Sequence, residues 1–198
     1  MTLRFTAAIG LSATLACGGG GGSSTETATV NGTLNGHAFH AADAVATNAM
    51  VQIEEEPVNL GLLTIVSSSA LCADANANRE PKNTQYLAMA FADIDPTTRQ
   101  LSPPTAPGVY VLGEPSMHGA LAYYTQTDAS CHEISGSQER GISGAVTLSS
   151  VNNGSYSGTF DLTMGSVVQP DHITGSFNAP NCPASAVFVD QHRTTTCF

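Results

Sequence analysis

The sequence predicts an all-β fold: an antiparallel sandwich or barrel of about nine to ten short strands, with one short helix near residues 69–78. Three observations carry that expectation. From Val146 to Phe177 apolar and polar residues alternate with period two, as strands with one face in a core do. Asn35-Gly36, Asn153-Gly154 and the Gly/Pro clusters between apolar runs mark tight turns. Charged residues make up only 11% of the chain, so its polar surface is mostly Ser, Thr, Asn and Gln, which suits sheets better than helices.

The elements follow in order. Thr29 to Phe39 reads as a hairpin, with Asn35-Gly36 in a type I′ turn. Asp43 to Glu56 becomes a strand, with Val51 and Ile53 on one face and Gln52 and Glu54 on the other; Pro57 is expected to end it. Leu60 to Ser67 is a more buried strand. Ser68 to Arg79 breaks the pattern, and Ser68 or Ser69 is expected to cap the helix that carries Leu71 and Cys72. Pro81 stops it. Gln85 to Asp93 resumes alternation, with Leu87, Met89 and Phe91 on one face. Pro96 to Pro107 reads as a proline-rich loop.

Gly108–Leu112 and Met117–Thr125 read as a strand pair around Gly113-Glu114-Pro115, followed by a polar loop from Asp128 to Gly141. The clearest segment comes last. Val146 and Leu148 face one way; after the Asn153-Gly154 turn, Tyr156, Phe160, Leu162 and Met164 face the core. Ile173, Gly175 and Phe177 repeat the scheme in one more strand. The sequence Ser157-Gly158-Thr159-Phe160 is echoed by Thr174-Gly175-Ser176-Phe177. Beyond Cys182, Ala186-Val187-Phe188-Val189 looks β-like. Strands joined by hairpins favour an antiparallel sheet.

Residues 1–16 read as an export leader: Arg4 in a short positive start, then the apolar run Phe5 to Ala16. That run is too short for a bilayer, which needs roughly 20 residues. Leu15-Ala16-Cys17 resembles a bacterial lipobox, with Thr14 departing from the usual branched aliphatic. The resemblance implies lipidation of Cys17, with the membrane as partner through that lipid. Residues 17–28, Gly/Ser-rich after Cys17, read as a flexible tether. Gly18 beside the cysteine is not the Asp that retains lipoproteins at the inner membrane, which implies the cell outer membrane, at its periplasmic face or the cell surface. Residues 29–198 then form a single domain.

The formal charge is −10, and Lys82 is the only lysine. Nucleic acid is therefore excluded as a partner, because phosphate binding rests on Lys and Arg. The absence of Trp counts against Trp-platform sugar modules and lipocalins. With Cys17 taken by lipid, Cys72, Cys131, Cys182 and Cys197 read as two disulfides, since the compartment is oxidising and no Cys-x-x-Cys pair points to zinc. Three pairings exist. The expectation adopted is Cys182–Cys197, to pin the tail, with Cys72–Cys131, to staple two irregular segments. The alternatives are Cys72–Cys182 with Cys131–Cys197, and Cys72–Cys197 with Cys131–Cys182.

The whole chain also resembles uncharacterised lipoproteins abundant in myxobacteria and related bacteria. The resemblance rests on Cys17 with its glycine run, Leu71-Cys72 to Leu87, Pro107-Gly108-Val109-Tyr110, and Ser143 to Cys182. It implies fold and localisation and carries no activity.

Candidate chemistry is sparse. His37 and His40, three apart, would share a face only in a helix. Asp128, His132 and Glu133 cluster around Cys131 in a loop. Asp93 and Asp95 offer two carboxylates, but the rest of a calcium loop is missing. Glu54-Glu55-Glu56 reads as a solvated strand end. Gly154-Ser155-Tyr156-Ser157-Gly158 has Tyr156 where a nucleophile elbow needs serine. No catalytic residue, metal ligand or cofactor is assigned. The expected function is a non-catalytic envelope or binding role, toward a small ligand or an envelope protein. The alternative is a hydrolase or metal-dependent enzyme with a dispersed site.

Overall fold

The computed structural model describes residues 27–53, 56–113, 117–166, 168–189 and 195–198. The leader, Cys17, nearly all of the tether and two of the three glutamates at 54–56 lie outside the described residues. Thirteen strands, one α-helix and one 3-10 helix are found among them. The strands are β1 (Ala28–Leu34), β2 (His37–Ala38), β3 (Asp43–Ile53), β4 (Glu56–Val66), β5 (Arg79–Glu80), β6 (Gln85–Ile94) and β7 (Leu101–Ser102). They continue as β8 (Gly108–Leu112), β9 (His118–Gln126), β10 (Glu139–Asn152), β11 (Ser155–Gly165), β12 (Pro170–Ala179) and β13 (Thr196–Cys197). The helix α1 spans Leu71–Asn76, and the 3-10 helix spans Pro183–Val189. The first strand starts at Ala28, which pairs with Phe177 of β12.

The main sheet runs β2-β1-β12-β11-β10-β8-β9-β6-β4-β3, with β7 added on β6. It is curled into a half-barrel. Its β3 edge is met by the segment after β12: Ala46 N–H donates to Pro180 O (2.9 Å), and Cys182 N–H donates to Ala46 O (2.7 Å). The concave side holds the largest core, including Leu63, Ile65, Leu87, Met89, Phe91, Tyr110, Tyr124, Val146, Leu148, Tyr156, Phe160, Leu162 and Ile173. The faces read from the alternation of β6, β10, β11 and β12 are the faces observed. Both Asn-Gly turns have positive φ at both residues, as type I′ turns require.

The repeated Gly-x-Phe has a structural reason. In the β11–β12 register Gly158 stands opposite Phe177, and Phe160 stands opposite Gly175. A Cβ on Gly175 would collide with the Phe160 ring and with Thr29 O of β1; one on Gly158 would collide with Thr147 O of β10 and crowd the Phe177 ring. Each phenyl ring lies over the other strand's glycine. Gly144 of β10 has φ +113°, and a side chain there would strike Asp161 O. At these positions the neighbouring backbone leaves no room for a side chain.

Several expectations are corrected. The pair β8–β9 is parallel, with Val111 opposite Gly119, so it is not a hairpin. The long strand β10 explains this: its start pairs with β9 and its middle pairs with β8, so β8 is wedged between them. Pro57 does not end β3; it lies inside β4 opposite Gln52. There β4 has not yet met β6, whose pairing starts at Gly61, so the missing N–H disturbs no second ladder. The 96–107 loop contains β7, which pairs with the end of β6. The 186–189 segment is 3-10 helix, not strand.

Neither Ser68 nor Ser69 caps α1. Its N-cap is Ala70, in the left-handed region, with no side-chain cap. Leu71 N–H donates instead to Asp43 Oδ2 (2.9 Å) from β3. Asp43 Oδ1 accepts from Ala44 N–H (2.8 Å) and from the Thr27 hydroxyl (3.2 Å). One carboxylate therefore joins the starts of β1, β3 and α1.

The disulfides are Cys72–Cys182 and Cys131–Cys197, with Cα separations of 5.8 and 5.6 Å, and not the pairing adopted from sequence. The 3-10 helix packs on α1 and brings Cys182 to Cys72. The C-terminal residues run parallel to β5, Thr196 opposite Arg79, which carries Cys197 to the Cys131 loop. Arg79 Nη2 pairs with buried Asp74 (2.7 Å), and its guanidinium lies 4.6 Å from the centroid of the Phe198 ring. The tail is pinned to distant partners rather than to itself.

Two outcomes follow. Mass spectrometry of a non-reduced digest will show Cys72 peptides linked to Cys182 peptides, and Cys131 peptides linked to Cys197 peptides. Replacing Phe160, which is 3% exposed, by Ala will cost roughly 3–5 kcal/mol in denaturant unfolding.

Candidate functional site

The alternation of β6 places Leu87, Met89 and Phe91 in the core, and the same face next presents Asp93. A carboxylate at the end of an apolar stripe needs donors. Asp93 Oδ1 accepts from the Tyr110 hydroxyl of β8 (2.8 Å) and lies 2.9 Å from Nδ1 of His118, its register partner on β9. Asp93 Oδ2 accepts from both the N–H and the hydroxyl of Thr105 (3.1 Å each). The Tyr110 and His118 rings are 5.1 Å apart.

Electrostatics follow the geometry. Burial works to raise the Asp93 pKa, but the hydrogen bonds from Tyr110, His118 and Thr105 outweigh it and hold the carboxyl below the ordinary range. Tyr110 is pushed well above the ordinary phenol value, first by burial and then by Asp93. Tyr156 is pushed up to about 12 by burial and by the Asp93 charge, and its hydroxyl donates to Asn48 Oδ1.

The arrangement orients a histidine with a carboxylate, which is one element of an acid–base device. Its other work is plainer. Both oxygens of Asp93 are engaged, and two of the four contacts reach Thr105 in the loop between β7 and β8. Buried Pro104, next to Thr105, packs against the strand at Gly61, where a Cβ would meet both the proline ring and the Tyr156 hydroxyl. The loop is folded over this end of the half-barrel, and Asp93 is its clamp.

The residues singled out in the sequence are largely dispersed. Asp95 Oδ1 accepts from Thr97 N–H (2.8 Å) and Thr98 N–H (2.7 Å), so Asp93 and Asp95 serve separate turns. Asp128 Oδ1 accepts from Ser130 N–H (2.7 Å) and His132 N–H (3.0 Å); these bonds lower its pKa and shape the Cys131 loop. Glu133 turns to the outer face, where the Tyr123 hydroxyl (2.9 Å) and the Thr125 hydroxyl donate to it. His37 and His40 are both exposed and flank buried Phe39. The four described cysteines are all in disulfides. Sequence reading missed the Tyr110–Asp93–His118 cluster. The one available signal was a charged residue continuing the core face of β6.

A second feature lies on the convex side. A shallow groove of about 290 Å³ crosses β4, β6, β9 and β8, lined by Leu60, Ala92, Ile94, Leu101, Val111 and Leu121 among others. It exists because the outward positions of β6 are Ala, leaving space between larger neighbours.

No known protein family matches the chain, and neither a curated protein nor a solved structure matches it.

The clamp is testable. Asp93→Asn removes the charge and leaves a single acceptor oxygen where the carboxylate had two, and exchange of the Thr105 amide will be about tenfold faster than in wild type. Because the native pKa is lowered, the clamp's contribution is complete above the unfolded value of 3.8 and is lost as pH falls through the native one. Wild-type Thr105 will therefore lose protection in acid, and the variant will not show that step.

Proposed function

We propose that the chain is an exported lipoprotein, held at the outer membrane by lipid on Cys17, whose β domain acts by binding and not by catalysis. The observation that carries this reading is the cysteine pairing. Of five cysteines in the chain, four form two long-range disulfides, as suits an oxidising compartment. That leaves Cys17, the residue of the lipobox-like sequence, as the acceptor for lipid. Two or more acyl chains anchor far more firmly than one, at about 0.8 kcal/mol per buried CH2.

Binding is favoured over catalysis by the arrangement of the core. Among the described residues, the concave side of the half-barrel is filled with core side chains. The polar cluster nearest to catalytic form, at Asp93, has its oxygens engaged in holding a loop. The convex groove has an apolar lining with no charged side chain, which suits an apolar small ligand or the apolar side chains of an envelope protein.

Cys17→Ser in the full chain, expressed in a Gram-negative host, tests the anchor. Wild type is expected in the membrane pellet after a high-salt wash, and the variant in the soluble fraction. A variant that stays with the membrane overturns the reading.

A further inference from the structure

At the other end of β6 from Asp93, two carboxyls face the core side with too few donors. Gln85 Nε2 donates to the Tyr124 hydroxyl (3.1 Å), and Tyr124 is the register partner of Glu139. Glu139 Oε1 accepts from Asn35 N–H (2.9 Å), at the β1–β2 turn. Glu139 Oε2 is buried and receives no hydrogen bond. Asp171 of β12 lies close enough to accept a hydrogen bond from Glu139 once Glu139 is protonated. Asp171 Oδ1 also accepts from the Thr33 hydroxyl (3.3 Å), and Asn35 Nδ2 donates to Gly136 O (3.2 Å).

These bonds seat the hairpin tip over the mouth of the half-barrel. Beneath it Leu34 is fully buried, and Phe39 meets Tyr124 edge-on with centroids 6.2 Å apart. The groups that face Glu139 are Asp171 from β12, Tyr124 from β9, the backbone of Gly165 from β11, and Asn35 from the turn. Among the described residues, no Lys, Arg or His forms an ion pair with either carboxylate. Arg140, next along β10, acts on Tyr123, and His172, next to Asp171, bonds Asp161 (2.8 Å).

We propose that Glu139 carries a proton that it donates to Asp171 and so forms a pH-sensitive latch on the β1–β2 hairpin, closed while Glu139 holds the proton and loosened when it is released to solvent. The orphaned Oε2 is the natural seat of that proton: protonated, it donates to Asp171, and the pair carries one negative charge instead of two. Burial first, and the Asp171 charge second, hold the Glu139 carboxyl above its ordinary value of 4.5. The native state thus binds this proton more tightly than the unfolded chain. The latch contribution is complete below the unfolded value and is lost as pH rises through the raised native one.

The test follows the Asn35 amide resonance and the unfolding temperature of the full chain across the acid to neutral range. In wild type the Asn35 resonance will titrate with a midpoint above 4.5, and in Asp171→Asn that midpoint will move down, because the neighbouring charge is gone. Glu139→Gln keeps an acceptor for Asn35 and supplies a permanent donor toward Asp171. Its unfolding temperature will exceed that of wild type by a few degrees at neutral pH, and the difference will vanish in acid. Parallel pH profiles for wild type and Glu139→Gln overturn the latch. If that variant does not fold, an Asn35 midpoint unmoved by Asp171→Asn overturns it equally.

Discussion

The close approach of backbones in the β10–β11–β12–β1 quarter is the constraint on which the rest of the structure depends. A sheet of ten strands left open would expose one whole apolar face. Curling removes that face from water, but curling brings strands together where an ordinary side chain would collide with the neighbouring carbonyl. Gly144, Gly158 and Gly175 remove the collision. The cost of a glycine in a strand is lost packing and added backbone freedom. Phe160 and Phe177 offset the first part by covering each other's glycine across the β11–β12 register. The residues after β12 reach the β3 edge at Ala46, where they pair with it.

Both ends of the curled sheet are closed by loops held on carboxylates. Asp93 receives donors from Tyr110, His118 and Thr105, and it is at ease as an anion. Glu139 has one backbone donor and a second acid beside it. The side-chain chemistry is the same, but the surroundings drive the two groups in opposite directions on the pH scale. A third carboxylate, Asp43, fixes α1 to the start of β3. The acids on the core side are therefore structural ties.

Much of the fold was legible because period-two alternation and Asn-Gly turns are local signals. They gave the faces of β6, β10, β11 and β12 and both type I′ turns. The Gly-x-Phe echo was visible as well, but its meaning needed the register. What was not legible depends on distant partners. The cap of α1 comes from Asp43, 28 residues away. The disulfide choice looked for bonds that would pin the tail and staple irregular segments, while the pairing is set by where α1 and β5 dock. Pro57 was read as a stop because it lacks an N–H, yet only its pairing with β3 mattered. The candidate site was almost invisible: Asp93 was noted beside Asp95, its neighbour in sequence, and not beside Tyr110 and His118, its neighbours in space.

The disulfides interleave: the first described cysteine joins the third, and the second joins the fourth. A chain made and delivered from its N-terminus presents Cys72 and Cys131 first, and an oxidant acting then would join those two. That bond is absent from the native molecule. The native partner of Cys131 is Cys197, 66 residues further along the chain. Native oxidation must therefore either wait for the whole chain or be repaired by thiol exchange afterward. A first bond between Cys72 and Cys131 would have to be undone by thiol exchange before the interleaved native pairs could form.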